Sequence, residues 1–319
     1  MSADLNAGLQ RLFGGATGLR RLSGGASQET WAFHAARRDL ILRRRPDGAT
    51  PSEDGRTVPL ATEAAVSGAV AVTGAPVPPI VRVCTPEDGL GEAYVMGRVE
   101  GETLGRRIVR DEAFAAVRPR LAAQCGAVLA AVHAAAPPAT LAVSDAAGEL
   151  DRYEAVYRAT GAERPVLELA FAWLRGRLPP PVTPRLVHGD FRNGNLMIHP
   201  VAGLAAVLDW ELTHVGDPAE DLGWLCTASW RFGAHDRPVG GFGDYGPLLD
   251  AYAAAGGDEV SIDRLRFWEA LGSLKWGVMC LIMHASFASG ADRSVERAMI
   301  GRRVSETEID LLNLIERAP

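Results

Sequence analysis

Lysine is almost missing from this chain: of 33 basic residues among 319, only Lys275 is not an arginine. Any fixed positive charge needed elsewhere must therefore come from arginine, which stays protonated at all physiological pH. Cysteine is scarce too. Cys84, Cys125, Cys226 and Cys280 are scattered, with no C-x-x-C pair, which argues against a thiolate metal site and fits reduced core thiols of a cytoplasmic protein. No two histidines sit four apart, which removes the usual helical zinc pair. There is no run of eighteen apolar residues, and Val278–Met283 is too short to cross a bilayer, so no membrane association is expected. The N-terminus lacks a basic stretch followed by an apolar core, the mark of a secretory signal.

An excess of positive charge is also absent. Residues 1–100 carry eleven basic and eleven acidic side chains, so the net charge of −6 falls on residues 101–319. A nucleic-acid partner is therefore disfavoured, and six charges over so long a stretch serve solubility. What remains is an ordinary globular composition, 47% hydrophobic and 23% charged, in a chain long enough for one bilobal unit or two domains.

The informative segment is His188-Gly189-Asp190-Phe191-Arg192-Asn193-Gly194-Asn195, with Asp209-Trp210-Glu211 fourteen residues beyond Asn195. Arg185–Val187 reads as a short strand entering it and Leu196–Ile198 as one leaving it, forming a hairpin, while Leu204–Leu208 delivers Asp209 at a strand end. Phosphoryl transfer needs an oriented hydroxyl and divalent metal held among phosphates rather than covalent help from the protein. An Asp followed five positions later by an Asn, then by a second Asp, supplies those groups. Magnesium takes few oxygen ligands from protein and the rest from phosphate and water, so one amide and one carboxylate suffice.

With Gly189 between His188 and Asp190, the segment resembles the catalytic loop of the aminoglycoside phosphotransferase and choline kinase-like family of small-molecule kinases. The resemblance covers roughly residues 20–290, and the helical tail is similar to the branch associated with acyl-CoA dehydrogenases. It implies an α+β protein-kinase-like bilobal fold. Residues 1–100 would form a nucleotide-binding lobe with a five-stranded antiparallel sheet, a helix and the hinge. Residues 101–319 would form a larger, mainly helical lobe with the catalytic loop and acceptor site. In the roles it implies, Asp190 orients and deprotonates the acceptor hydroxyl, while Asn195 and Asp209 hold Mg2+. The γ-phosphoryl of ATP or GTP then passes to a small molecule, with a hydroxyacyl metabolite as the implied acceptor. An aminoglycoside or other antibiotic kinase, and a regulatory pseudokinase, remain alternatives. His188 is expected to brace the loop rather than carry protons.

In the nucleotide lobe, Gly24-Gly25 fits either a hairpin turn or a phosphate-covering loop, and Ser27 resembles the serine that such kinases place near phosphates. The next strand, Asp39–Arg45, stands where related kinases carry a phosphate-binding lysine. Arg43 is the candidate replacement, Glu63 on the following helix its partner, and Arg44 should alternate outward. Met96-Gly97-Arg98-Val99 resembles the hinge. Met96 would line the adenine pocket, with the Gly97 carbonyl and Val99 amide facing the base. In the second lobe, Glu211, Asp217 and Asp221 are candidates for acceptor contact. Asp217 also suits a helix N-cap ahead of Pro218, and Asp221 could instead brace the catalytic loop. Leu121, Cys125, Val128, Leu129 and Val132 share one helical face and belong to the core, as His133 does.

Overall fold

The computed structural model describes residues 2–22, 28–45 and 57–317. It opens with helix α1 (Ser2–Phe13), followed by strands β1 (Thr17–Arg21), β2 (Glu29–Ala35) and β3 (Arg38–Arg44). Helix α2 (Leu60–Val72) comes next, then β4 (Ile80–Val83) and β5 (Ala93–Gly97). The five strands form one antiparallel sheet in the order β1-β2-β3-β5-β4.

Period-two alternation decides what each face of this sheet meets. Leu40, Leu42 and Val95 join Leu5 and Leu9 of α1 in one apolar cluster, while Tyr94 joins Leu60 and Ala64 of α2 in another. Helix α1 is an addition to the expected five strands and single helix. Arg44 departs from the outward position expected of it, since it takes the face opposite Arg43 but does not reach solvent. That face is covered, and Arg44 is buried with its Nε 3.8 Å from a Glu29 carboxylate oxygen.

The second part of the chain is mainly helical. Helices α3 (Gly105–Arg110), α4 (Arg118–Ala134), α5 (Ala146–Ala159) and α6 (Pro165–Arg175) precede strands β6 (Arg185–Val187), β7 (Leu196–His199), β8 (Gly203–Val207) and β9 (His214–Gly216). Helices α7 (Ala219–Cys226), α8 (Tyr245–Ala254), α9 (Ile262–Ala288), α10 (Val295–Gly301) and α11 (Val304–Glu316) complete it. On α4, Leu121, Cys125, Leu129 and Val132 are buried as their spacing predicts, with Val128 half-buried beside them. Gly126 lets α8 lie directly on this helix, since a Cβ there would stand 2.2 Å from the Leu248 carbonyl oxygen.

Helix α9 has the length and apolarity of a membrane-crossing segment, although no unbroken apolar run marks it in the sequence, and 56% of its most apolar stretch is buried inside the fold. Trp268, Leu271, Leu274 and Val278 of α9 share a core with Trp224 of α7, Phe171 of α6 and Leu311 of α11. The expected hairpin between β6 and β7 does not form. Instead β6 pairs with β9, and β7 with β8. Partner choice for strands of three or four residues is set by the tertiary frame, which here brings the ends of β6, β7 and β8 together around the loop from 188 to 195.

Candidate active site

The loop between β6 and β7 is held from below by one carboxylate. Asp221, fully buried on α7, accepts hydrogen bonds from the amides of His188 (2.7 Å) and Gly189 (2.9 Å) and from Nε2 of His133 (3.1 Å). Burial alone would raise this carboxyl, but the hydrogen bond and charge of His133, with the His188 amide, hold it below the ordinary carboxylate range. Gly189 has φ +79°, and a Cβ there would lie 2.4 Å from the Leu212 carbonyl oxygen, so no other residue fits. His188 is spent on structure: Nδ1 accepts from the Asp190 amide (3.1 Å) and Nε2 donates to the Leu208 carbonyl (2.9 Å).

So braced, the loop presents Asp190. Its Oδ1 accepts from Nε of Arg192 (2.9 Å) and Nε1 of Trp224 (2.7 Å), and its Oδ2 accepts from Nδ2 of Asn195 (2.7 Å). Because Nδ2 of Asn195 also donates to the Asp190 carbonyl (3.0 Å), the side-chain oxygen is the amide atom left for another partner. The Leu208 amide donates to the Asn195 carbonyl (2.8 Å), which fixes the end of β8, and hence Asp209, beside the loop. Asn193 is tied to the carbonyls of Trp230 (3.1 Å) and Gly240 (2.6 Å).

A second group of charges faces this loop. Asp209 has the left-handed backbone φ of +68°, uncommon for a residue with a side chain. Arg43 on β3 reaches Asp209 through an Nη2 hydrogen bond, pairs with Glu63 at 3.1 Å and lies 3.9 Å from Glu211. Gln28 donates to Glu63 (2.9 Å) and Glu211 (3.0 Å), and the Tyr94 hydroxyl donates to Glu63 (3.3 Å). Three carboxylates thus share one guanidinium. Burial lifts the Glu63 carboxyl to about 7 against the pull of Arg43. Glu211 is raised as well, by burial first and then by Asp209, with Asp190 contributing from across the cleft. Burial acts to lower the Arg43 pKa, but Asp209 and Glu63 outweigh it and raise it.

This excess of negative charge suits a divalent cation. Among the described residues no three His, Cys, Asp or Glu side chains converge as a ready-made metal site. The Asn195 side-chain oxygen and the Asp209 carboxylate are, however, hard oxygen donors of the kind magnesium takes alongside phosphate and water. They fit that ion.

At the hinge, Met96 and Gly97 end β5, and the Gly97 amide donates to the Pro79 carbonyl (2.9 Å). The Arg98 amide donates to the Asp39 carbonyl (3.0 Å), while the Val99 amide has no hydrogen-bond partner among the described residues. Gly24, Gly25 and Ser27 lie outside the described residues.

Two of the three candidates for acceptor contact have other tasks. Asp221 is wholly enclosed, and its oxygens are used by the loop and His133. The Asp217 carboxylate, 5% exposed, accepts from the Ala219 amide at the start of α7 and from Arg264 and Trp268. It anchors the start of α7, whose N-cap is Pro218 rather than the expected Asp217, and both Asp217 and Asp221 are held by protein donors. Glu211 remains reachable, at 25%. Three functional neighbours carry no expectation from the sequence. Arg192 sits within the motif two residues after Asp190, a signal that was there to be read, whereas Gln28 and Trp224 come from distant segments.

A profile of the phosphotransferase enzyme family matches residues 18–257. The chain belongs to this family. The mouse acyl-CoA dehydrogenase family member 10 is 31% identical to this phosphotransferase over 220 residues, which are 64% of the chain and 20% of the relative. The human family member 11 is 25% identical over 317 residues, 92% of the chain and 38% of the relative. The chain therefore spans only about a fifth to two fifths of these curated relatives. Among solved structures, a Ralstonia eutropha JMP134 protein provisionally described as an aminoglycoside phosphotransferase superposes with a TM-score of 0.76 at 22% identity, covering 100% of this chain and 99% of that one. The aminoglycoside phosphotransferase APH(4)-Ia gives 0.62 at 16% identity, covering 97% and 98%. The protein-kinase-like bilobal α+β fold is thereby established, and the chain is a small-molecule phosphotransferase of kinase type.

Proposed function

We propose that this phosphotransferase moves the γ-phosphoryl of ATP or GTP to a hydroxyl of a small molecule, with a hydroxyacyl metabolite as the acceptor. Residues 1–100 bind the nucleotide and residues 101–319 carry the catalytic loop and acceptor side. The observation that carries this reading is the Asp190 carboxylate, locked by Asn195, Arg192 and Trp224, with a charge that reaches Glu211 beside Asp209. Asp190 takes the acceptor's proton as the hydroxyl oxygen bonds to the γ-phosphorus. The bond from that phosphorus to the bridging oxygen breaks, and the nucleoside diphosphate leaves. Asn195 and Asp209 hold magnesium, which screens the phosphate charge. Arg43 holds phosphate oxygens in place of the missing lysine and is oriented by Glu63. Met96, the Gly97 carbonyl and the Val99 amide meet the base, with Ser27 near the phosphates.

Nucleotide use is supported by a solved complex of an APH(4)-Ia mutant with ADP and hygromycin B, a protein of the same fold at 16% identity. The hydroxyacyl acceptor is supported by the curated relatives, named as acyl-CoA dehydrogenases. The four free thiols suit a cytoplasmic setting. The test is magnesium-dependent nucleotide turnover measured in parallel with hydroxyacyl compounds and aminoglycosides. Wild type should phosphorylate the hydroxyacyl set, and Asp190→Asn should lose about 10²–10⁴-fold in kcat while still binding nucleotide. Wild-type turnover by that variant would remove Asp190 from its role, and phosphorylation of the aminoglycosides alone would replace the acceptor.

A further inference from the structure

The lone lysine of the chain stands behind the loop from 188 to 195 rather than on β3. Lys275 lies on α9, buried, with Nζ donating to the carbonyl oxygen of Gly189 at 3.0 Å. The same ammonium lies 4.4 Å from the ring centroid of Trp224 and 5.7 Å from that of Tyr153. Trp224 in turn donates its indole N–H to Oδ1 of Asp190 at 2.7 Å. One cation therefore touches the catalytic loop at the backbone immediately before Asp190 and, on α7, the ring that holds the Asp190 carboxylate.

We infer that Lys275 and Trp224 act together as positioning residues for the Asp190 carboxylate, fixing which of its oxygens is left for the acceptor. This rests on the reading of Asp190 as the base. Oδ1 is engaged by two donors, Trp224 and Arg192, while Oδ2 has the Asn195 amide alone. Oδ2 is thus the oxygen with room for a hydroxyl proton. A cation over the Trp224 ring strengthens the hold through the ring quadrupole. It also polarises the Gly189 carbonyl, whose peptide partner is the Asp190 amide that His188 accepts. Lysine suits the place because a compact ammonium can point three donors at a carbonyl and aromatic faces in a confined space, where a planar guanidinium cannot.

The test uses Lys275→Met, Lys275→Arg and Trp224→Phe in the full chain. Magnesium-ATP turnover is measured with water and with the hydroxyl panel, and the indole N–H resonance of Trp224 is followed in 15N-tryptophan protein. Trp224→Phe keeps an aromatic face for Lys275 but removes the donor, and should lower kcat about tenfold, a loss of one hydrogen bond to a charged group. Its KM for magnesium-ATP should stay within about twofold. Lys275→Met should do the same and shift the Trp224 resonance, and Lys275→Arg should recover part of kcat. If Trp224→Phe folds and keeps wild-type kcat, or if the Trp224 resonance is indifferent to Lys275→Met, the inference is overturned. A merely structural lysine would change the melting temperature without this split between kcat and KM. Should wild type show no turnover with any acceptor, the phosphotransfer reading falls, while the resonance still decides whether Lys275 holds Trp224.

Discussion

The two ends of the cleft solve opposite electrostatic problems. Beneath the loop from 188 to 195, the Asp221 carboxylate has a donor for each oxygen and a carboxyl pKa below its ordinary range. Across the cleft, Glu63, Asp209 and Glu211 share the single guanidinium of Arg43, and Glu63 and Glu211 have raised pKa values. The first arrangement is complete in itself and confers rigidity. The second holds more negative charge than its own cation balances, which suits a region completed by bound metal and phosphate. The difference teaches that buried charge in one cluster can serve either as scaffold or as receptor, and that the number of carboxylates sharing one cation tells the two apart.

The comparison breaks most visibly at Asp221. Asp221→Ala would leave two buried amides and His133 without their acceptor and should cost about 3–5 kcal/mol of stability together with activity, read from the denaturant midpoint. A loss of activity at unchanged stability would make Asp221 something other than a brace.

At the other end, Glu63 provides a test by pH. Its folded-state pKa of about 7 exceeds the 4.5 of an unperturbed carboxyl, so the stability tied to its protonation is full below pH 4.5 and lost as pH rises through 7. Glu63→Gln does not titrate, so its stability relative to wild type should improve by up to about 3 kcal/mol between pH 5 and 8 in metal-free protein. A pH-independent difference would show that Arg43 neutralises Glu63 fully.

The smallest expected effect is at Arg43 itself. Arg43→Lys keeps the charge but loses the fork that spans Glu63 and Asp209, and should raise the KM for nucleotide about tenfold with kcat within about threefold. Unchanged nucleotide kinetics would place the phosphate clamp elsewhere.

Legibility in the sequence followed the range of the interaction. The loop from His188 to Asn195 and the strand ending at Asp209 were readable because their residues are close in sequence and their order is itself the signal. Arg43 with Glu63 was readable one step further out, from the resemblance that puts a cation on that strand and an acid on the helix after it. Gln28, Trp224 and Lys275 were not, since each reaches the site from an element whose position only the packed fold supplies. For Asp217 and Asp221 the sequence left acceptor contact open beside a structural role for the same reason: a carboxylate just beyond a motif looks the same whether α7 turns it toward ligand or toward the core. Arg44 was misplaced because its pairing opposite Glu29 of β2 depends on a register that strand alternation alone does not supply.

Gly189 has a consequence beyond catalysis. Its left-handed backbone and the carbonyl of Leu212 pressed against its missing side chain leave the position no neutral alternatives. In a saturation library it should be an empty column, while Arg43 on β3 would show a graded one. The three-letter signature by which this chain can be recognised therefore owes its middle letter to steric exclusion, and a lineage that abandoned the chemistry would still be slow to lose it.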